Sequence, residues 1–187
     1  WEIGTSRIGR SNKSWAQFES SRKAYVPYMK GGTFRRWYGN QEFVLQLLEK
    51  GRVLIEFLNT KRDSIRGQEH IFHEGITYSF LTSERFSASI SPGGFIFDVA
   101  GSSLFPRDIP LVLAVLNSEF AAYSLKLLNP TVNFQVGDLA RVPMPIDNSL
   151  VLHSLVGLAI TAAKSRSSQD ETTYDFIVPP SWSAGLD

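Results

Sequence analysis

Residues 30–40 read Lys-Gly-Gly-Thr-Phe-Arg-Arg-Trp-Tyr-Gly-Asn, and this stretch constrains the fold more strongly than any other part of the sequence. The adjacent glycines, Gly31 and Gly32, allow a tight turn or the close approach of another part of the chain. We predict that the turn leads into a short strand over residues 34–38. Arg35 and Arg36 would then point to opposite faces of a sheet, because successive side chains of a strand alternate.

The same stretch has the composition of a nucleic-acid contact. Arginine binds phosphates and guanine edges, aromatic rings stack on bases, and backbone N–H groups can donate to phosphate oxygens. The alternative is a glycine-rich turn that precedes a core strand, with Phe34 and Trp37 buried. The candidate contacts in this stretch are Lys30, Gly31, Gly32, Arg35, Arg36, Trp37 and Tyr38.

Charge is divided unevenly along the chain. Residues 1–66 contain 13 Lys and Arg against 6 Asp and Glu, whereas residues 67–187 contain 6 against 12, so the net charge of +1 combines a basic first third with an acidic remainder. A basic module is typical of a surface that neutralises phosphates. Chance clustering of cations on a solvated surface is the alternative explanation.

Length and composition indicate a globular chain. With 187 residues, of which 43% are hydrophobic, the sequence fits one domain, or one domain with an appendage, around a real core. The absence of cysteine excludes disulfides and thiolate metal sites. We recognise no secretory leader and no apolar run near the ~18 residues of a membrane span, so we expect a cytoplasmic protein without membrane contact. Because the sequence opens at Trp1, we also expect it to be a piece of a longer protein.

The first part of the chain predicts a lead-in followed by strands. Residues 1–23 show no sustained period and predict a basic, extended lead-in. Alternation predicts a strand over residues 24–29, with Pro27 placing it near a sheet edge. Residues 43–45 favour another strand, and a helix is expected over residues 50–59.

Period-two alternation continues over residues 71–99 and predicts a meander of three strands. Ile76 and Tyr78 would share one face of its first strand. The turn at residues 91–94 would precede its last strand. Residues 101–108 are expected to form a loop.

Capping signals predict two helices in the middle of the chain. Asp108 and Pro110 predict a helix that ends near Leu116, because proline is favoured in the first helical turn. Ser118 predicts a second helix, which would stop before residues 129–130 because a residue that precedes proline is pushed out of the helical region.

The last part of the chain predicts a strand, a turn and one long helix. The strand and turn are expected over residues 133–142, and Ser149 would cap the helix. The apolar stripe of this helix predicts packing onto the body of the protein or onto a neighbouring helix. The residues of the stripe are Leu152, Leu155, Val156, Ala159 and Ala163.

These elements together predict a mixed α/β (α+β) fold, with a twisted and mostly antiparallel sheet, flanking helices and a carboxy-terminal helical part. The expected division of the chain is a lead-in over residues 1–23, a main domain over residues 24–128, and a carboxy-terminal strand and helix part with a tail over residues 129–187.

The sequence contains no catalytic motif that we recognise. His70, His73 and Glu74 do not have the spacing of a zinc protease, so we predict no metal site. Residues 129–132, Asn-Pro-Thr-Val, lack the second proline and the aromatic residue of the Asn-Pro-Pro-aromatic motif of amino-group methyltransferases, so we interpret them as a helix stop. The glycines match neither a phosphate loop nor a nucleophile elbow.

Several longer motifs resemble the PglX adenine-specific DNA methyltransferases of the BREX phage-defence system. These motifs are residues 25–40, 75–79, 94–98, 101–106, 128–138, 141–143 and 171–176. The strongest match is Leu-Asn-Pro-Thr-Val-Asn-Phe-Gln-Val-Gly-Asp at residues 128–138. The resemblance keeps the same order along the chain and covers residues 24–176.

The resemblance implies a place within a larger enzyme that is similar to the type IIG restriction-modification methyltransferases. In those enzymes an amino-terminal domain binds S-adenosylmethionine and carries the catalytic motif, and a carboxy-terminal region recognises the DNA target. Because this sequence resembles the carboxy-terminal part, residues 24–128 are expected to form the target-recognition domain. The chain alone is then expected to hold no cofactor and to transfer no methyl group to adenine N6.

The partners that the resemblance implies are double-stranded DNA and the amino-terminal methyltransferase domain of the same parent chain. Other defence proteins, or an inhibitor that mimics DNA, are further possible partners. The remaining candidate DNA contacts are Lys61, Arg62, Arg66, Tyr78, Ser79, Arg85, Asn133 and Gln135. Members of this family recognise different targets, so bases are expected to be read by loops near residues 59–70 and 81–91.

Three alternatives stay open at this point. Asn133 and Gln135 could bond to an adenine edge or tie a turn to neighbouring backbone. The whole chain could instead be a protein-interaction module with a basic face. It could also be a domain of a type I restriction specificity subunit, as the helix break at residues 116–118 and the extended edge at residues 142–145 suggest.

Overall fold

The computed structural model describes residues 5–47, 67–81, 85–145, 149–173 and 175–176. It has the predicted mixed α/β architecture with flanking helices, and its strands form two three-stranded sheets. Each sheet contributes to a separate hydrophobic cluster. The helix predicted over residues 50–59 lies outside the described residues.

The first sheet is built around β1 (Tyr25–Met29), which lies between β2 (Phe43–Gln46) and β5 (Ile96–Phe97). β2 is antiparallel to β1, and β5 is parallel to it. The predicted edge position of β1 is therefore wrong. The strand accommodates Pro27 because β5 pairs only with the last two residues of β1, so the missing N–H breaks no bond of that ladder.

Helix α1 (Trp15–Ser21) occupies the lead-in that we predicted to be extended. Ser14 caps the helix, and its hydroxyl accepts from the Gln17 N–H at 3.2 Å. Phe18 is only 1% exposed and packs in one cluster with Val26 of β1. The sequence did not reveal this helix because two turns are too short to establish a period.

The second sheet has β3 (Gly75–Ser79) at its centre, with β4 (Ala88–Ser91) and β6 (Gly101–Leu104) antiparallel on its two sides. The predicted loop over residues 101–108 is thus wrong in its first half. The small residues of β6 gave no strand signal, but they allow a tight fit, because a Cβ on Gly101 would lie 2.4 Å from the Met29 carbonyl oxygen.

Two helices, whose caps were predicted, pack in the same hydrophobic cluster as the second sheet. They are α2 (Ile109–Leu116) and α3 (Glu119–Leu128). The Asp108 side chain accepts from the Leu111 N–H at 2.9 Å, and the Ser118 hydroxyl accepts from the Ala121 N–H at 3.1 Å. Leu113 of α2 and Ala121 of α3 are fully buried in the same cluster as Ile76 of β3.

The end of the chain forms a short helix, α4 (Val136–Leu139), and a long one, α5 (Leu150–Ser167). The strand predicted over residues 133–142 is wrong, because only Asn133 makes a β-bridge, to Leu81, before α4 begins. Ser149 caps α5 as predicted. The predicted apolar stripe fails at Leu155, which is 58% exposed, although Val156 is buried.

Within the described ranges, no single helix is both long and apolar enough to cross a membrane. Only α2 and α3 taken together reach that length and hydropathy, and they meet at a bend of 70°.

Asn117 joins the bend between α2 and α3 to the second sheet. Its side chain is buried, its Oδ1 accepts from the Ala88 N–H at 3.0 Å, and its Nδ2 donates to the Ala88 carbonyl at 2.9 Å. The side-chain amide of Asn117 therefore bonds to both the N–H and the carbonyl of Ala88, in place of the backbone of a neighbouring strand.

We predict that Asn117→Ala lowers the free energy of unfolding by about 1–3 kcal/mol, because it leaves the buried N–H of Ala88 without a partner. Urea denaturation of the chain measures the loss. The matched control is Asn12→Ala, which removes a second buried asparagine whose Nδ2 has no hydrogen-bond partner. Equal losses in the two variants would contradict the structural role of Asn117.

Candidate nucleic-acid interface

Residues 30–40 connect β1 to β2 as a loop, which we call the arginine loop. The predicted strand over residues 34–38 is wrong, because Trp37 has a φ of 72° and the segment makes only a single β-bridge, to Ser89. The Trp37 N–H donates to the Ala88 carbonyl at 3.0 Å, and the Ile90 N–H donates to the Trp37 carbonyl at 2.8 Å. The middle of the loop is thereby fixed to β4.

The glycines fix the beginning of the arginine loop. The Gly32 N–H donates to the Ser79 hydroxyl at 2.9 Å, and that hydroxyl donates back to the Gly32 carbonyl at 2.8 Å. Gly31 has a φ of 77°, and a Cβ at this position would lie 2.6 Å from the Ala100 carbonyl oxygen. These glycines serve close packing, and the N–H of Gly32 is already used inside the protein.

The prediction that Arg35 and Arg36 lie on opposite faces of a sheet depended on a strand that does not form, and both line the same groove. Their surroundings nevertheless differ. An amino nitrogen of Arg36 lies 3.6 Å from Glu119 Oε1, at the start of α3. The other oxygen of Glu119 accepts a hydrogen bond from Arg85. Arg36 also lies over the Phe34 ring, with 5.4 Å between the guanidinium carbon and the ring centroid. One carboxylate therefore holds two of the predicted DNA contacts.

Arg35 is exposed, and among the described residues its guanidinium makes no salt bridge. It donates to the Phe34 carbonyl at 3.2 Å. Asp170 lies close enough to Arg35 for the guanidinium to affect its carboxyl group. The pKa of Asp170 lies below its usual value. Hydrogen bonds from the Thr172 hydroxyl and N–H are the main cause, and Arg35 adds a smaller contribution. Because Asp170 is itself exposed, solvent screens this attraction.

A groove of about 900 Å³ separates the arginine loop from the end of α5. Arg35 and Arg36 line one wall, and Arg166 lines the other. Tyr38 lies at the base of the loop, is 4% exposed, and donates a hydrogen bond to Asp175 beyond α5. The groove thus has arginines on both sides, and the carboxylates of Glu42 and Asp170 also line it.

The other predicted contacts are spread over several environments. Lys30, Gly32, Arg35, Arg85 and Gln135 are exposed, whereas Gly31, Arg36, Trp37, Ser79 and Asn133 are half-buried. Tyr38 and Tyr78 are core residues, and burial is the main reason that the pKa of Tyr78 is raised. Lys61, Arg62 and Arg66 lie outside the described residues, as does most of the loop at residues 59–70.

The turn that contains Asn133 is held in place by hydrogen bonds to the backbone groups of Asn133 and Phe134. The Asn129 side chain donates to the Asn133 carbonyl at 3.1 Å and to Asp138 at 2.8 Å. The Phe134 N–H donates to the Phe80 carbonyl at 2.8 Å. These contacts favour a structural role for the motif at residues 128–138.

Sequence analysis missed two contributors to this region, Glu119 and Arg166. An acidic residue in the first turn of a helix and a basic residue in the last turn are common features of helices in general. Only the fold shows that Glu119 meets Arg36 and Arg85, and that Arg166 faces the arginine loop.

The three histidines either pack against an aromatic ring or form a hydrogen bond with a carboxylate. The His70 ring stacks on Phe105 with ring centroids 4.4 Å apart, and His153 Nε2 lies 3.1 Å from Asp108. Over the residues that the structure describes, no three His, Asp or Glu side chains are grouped closely enough to hold a metal ion.

Comparison with known proteins relates this chain to adenine-specific methyltransferases, although no protein-family model matches it. It is 34% identical over 161 residues to the adenine-specific methyltransferase PglX of Lacticaseibacillus casei (strain Zhang), which aligns with 82% of this chain. It is 32% identical over 174 residues to the adenine-specific methyltransferase BrxX of Escherichia coli O9:H4 (strain HS), which aligns with 90% of this chain.

The resemblance to BREX-type methyltransferases is therefore confirmed over most of this chain. The alignments span only 13% of the length of each relative. The similarity thus concerns one limited region of these much larger proteins.

We predict that Gly31→Ala destabilises the chain by about 1–3 kcal/mol, because alanine is strained at positive φ and its Cβ would collide with the Ala100 carbonyl. The matched control is Gly137→Ala in α4, where a Cβ would meet no atom within 4 Å. Thermal unfolding compares the two variants. A neutral Gly31→Ala would show that the start of the arginine loop is not closely packed.

Proposed function

We propose that this chain is the DNA target-recognition part of an S-adenosylmethionine-dependent methyltransferase that modifies adenine N6 in a bacterial phage-defence system. The observation that carries the proposal is the position of Arg35. This cation is exposed, makes no salt bridge within the described residues, and projects from a fixed loop into a groove. The relationship to PglX and BrxX supplies the enzyme class to which such a surface would belong.

Fixed geometry favours binding by the arginine loop. The loop is bonded to β3 through Ser79 and to β4 through Trp37, so its backbone has little freedom left to lose when DNA is bound. Arg35 and Arg166 supply guanidinium groups from opposite walls of the groove. Guanidinium groups match phosphate oxygens in charge and geometry.

We infer that Arg35 contacts a phosphate rather than a base. It belongs to a motif that resembles enzymes with different targets, and a contact common to such enzymes suits the sugar-phosphate backbone, which is the same in every target. Tyr38 and Tyr78 do not belong to this proposed surface, because both are buried. Trp37 is half-buried against the core, so we do not propose it as a stacking platform.

We propose that another part of the parent enzyme transfers the methyl group. The Asn-Pro-Thr-Val segment follows the last residue of α3, and Asn129 caps the helix while its side chain bonds to Thr131 and Asp138. An asparagine used in this way is not free to hold a flipped adenine. The proposed partners are therefore double-stranded DNA and the methyltransferase domain that binds S-adenosylmethionine.

A protein-binding role is the second candidate function. It is favoured by exposed apolar side chains on two helices, with Tyr123 and Leu127 of α3 and Leu155 and Leu158 of α5 each between 58% and 68% exposed. Such side chains suit contact with another protein surface better than contact with phosphates. Another defence protein would fit these apolar side chains, whereas a DNA-mimicking inhibitor would fit the arginines of the groove.

We predict that Arg35→Ala, introduced into the full-length parent enzyme, weakens its binding to target and non-target duplexes alike. The slope of log affinity against log salt should fall by about one unit, because one phosphate contact is lost. Fluorescence anisotropy across a salt series measures both quantities. The target duplex is first selected from a random-sequence library with the wild-type protein.

The control variant is Arg107→Ala, which removes an exposed arginine from the loop before α2. Arg36→Ala should cost less non-target affinity than Arg35→Ala, since Arg36 is already paired with Glu119. Unchanged affinity in both Arg35→Ala and Arg36→Ala would remove the arginine loop from the DNA interface. Failure of the wild-type protein to bind duplex, with binding to an acidic protein retained, would favour the second candidate function.

A further inference from the structure

We propose that Glu119 is a positioning residue for Arg36 and Arg85. By holding these two arginines, it increases the ratio of target to non-target DNA affinity. The inference rests on the proposed function, because it concerns Arg36 and Arg85 as DNA contacts. It goes beyond that function by assigning a role to a carboxylate, which carries the same charge as DNA and would ordinarily be left out of a DNA interface.

The geometry makes Glu119 the meeting point of three segments of the chain. It is the first residue of α3 and follows the capping residue Ser118. Its Oε1 lies 3.6 Å from the Arg36 guanidinium in the arginine loop, and its Oε2 accepts from Arg85 before β4. A single carboxylate therefore fixes the separation between two guanidinium groups that are far apart in sequence.

These ion pairs are too exposed to be explained by stability alone. The side chains of Glu119, Arg85 and Arg36 are 70%, 63% and 31% exposed. Exposed ion pairs contribute little to folding, because water screens the attraction and the side chains lose conformational freedom. The arrangement instead orients donors, since the half-buried Arg36 has its direction set by Phe34 and Glu119.

The position of Glu119 also places it between two grooves. Arg36 lines the groove of the arginine loop, whereas Arg85 and Glu119 line a second groove of about 620 Å³ together with Tyr123 and Lys126. A DNA backbone that contacts both arginines must therefore pass close to the carboxylate of Glu119.

The expected effect on binding follows from charge. Non-target binding depends almost entirely on phosphates, so a carboxylate between two arginines weakens it by repulsion and by occupying the guanidinium groups. Target binding has a compensating gain, because an oriented guanidinium group can donate two parallel hydrogen bonds to a base edge, which only the target presents in the right place. Glu119 should therefore lower non-target affinity more than target affinity.

The test is Glu119→Gln in the full-length protein, assayed with the selected target duplex and with a duplex that lacks the target. Glutamine keeps the size and an accepting oxygen but removes the charge. We expect non-target affinity to rise and its salt slope to steepen by about one unit, so that dilution from about 200 to about 50 mM salt gives the variant an additional gain of about threefold to fourfold. The ratio of target to non-target affinity should fall.

Two further variants separate this role from simpler ones. Glu19→Gln removes one exposed carboxylate from α1 and should leave both affinities and the slope unchanged. Glu119→Asp restores the charge and should bring non-target affinity back towards the wild-type value. A purely structural role for Glu119 would change thermal stability without steepening the salt slope.

The outcomes distinguish this inference from the function on which it rests. If the wild-type protein binds the target and Glu119→Gln behaves like Glu19→Gln, the role of Glu119 is wrong and the proposed function stands. Equal gains for target and non-target duplexes would also overturn the role in discrimination. If the wild-type protein binds no duplex at all, the proposed function fails and the inference fails with it.

Discussion

The backbone carbonyl of Ala88 accepts two hydrogen bonds, one from the Trp37 N–H at 3.0 Å and one from the Asn117 side chain at 2.9 Å. This buried junction joins the arginine loop, the edge strand β4 and the bend between α2 and α3. Arg36 is adjacent to Trp37, Glu119 lies two residues after Asn117, and Arg85 lies three residues before Ala88. The ion pairs at the surface are thus brought together by hydrogen bonds in the interior, which are protected from competing water.

This arrangement explains why the arginine loop can have a defined shape without being a strand. Its beginning is bonded to Ser79, its middle to Ala88 and Ile90, and its end through Tyr38 to Asp175. Trp37 has a positive φ of 72°, Arg35 is exposed beside the groove, and Arg36 meets Glu119. Hydrogen bonds in the interior therefore place the neighbouring residues Arg35 and Arg36 in different surroundings.

Sequence alone predicted those features that depend on local chemistry. The caps at Asp108, Ser118 and Ser149 and the strand β1 are set by residues close to one another in the chain, and all four are confirmed. Period-two alternation likewise predicted β3 and β4, although it could not reveal that β5 pairs with β1 in the other sheet.

The errors have physical causes in long-range structure. β6 has the weak strand formers Gly-Ser-Ser, and it becomes a strand because β3 offers a free edge. The candidate site was predicted as a basic, aromatic turn and strand, and neither its loop conformation nor its pairing with Glu119 could be predicted. Residue types show that cations are present, whereas the packing of separate segments decides which of them are neutralised.

The similarity to PglX and BrxX covers most of this chain and 13% of each relative. A small region that recognises DNA would need rigidity more than catalytic groups, and the junction at Ala88 supplies that rigidity. Under the proposed function, the same rigidity would allow surrounding loops to vary between targets while the arginine loop provides a constant contact for phosphates.

Amide hydrogen exchange of the full-length protein, with and without its selected target duplex, tests the place of the arginine loop in DNA binding most directly. DNA contact at Arg35 predicts slower exchange across residues 33–36 and at the start of α3, with no change in α1. The backbone of Trp37 should be protected in both states, because its N–H is already bonded to Ala88. Bound duplex that leaves residues 33–36 unchanged and protects a different surface would contradict this interface.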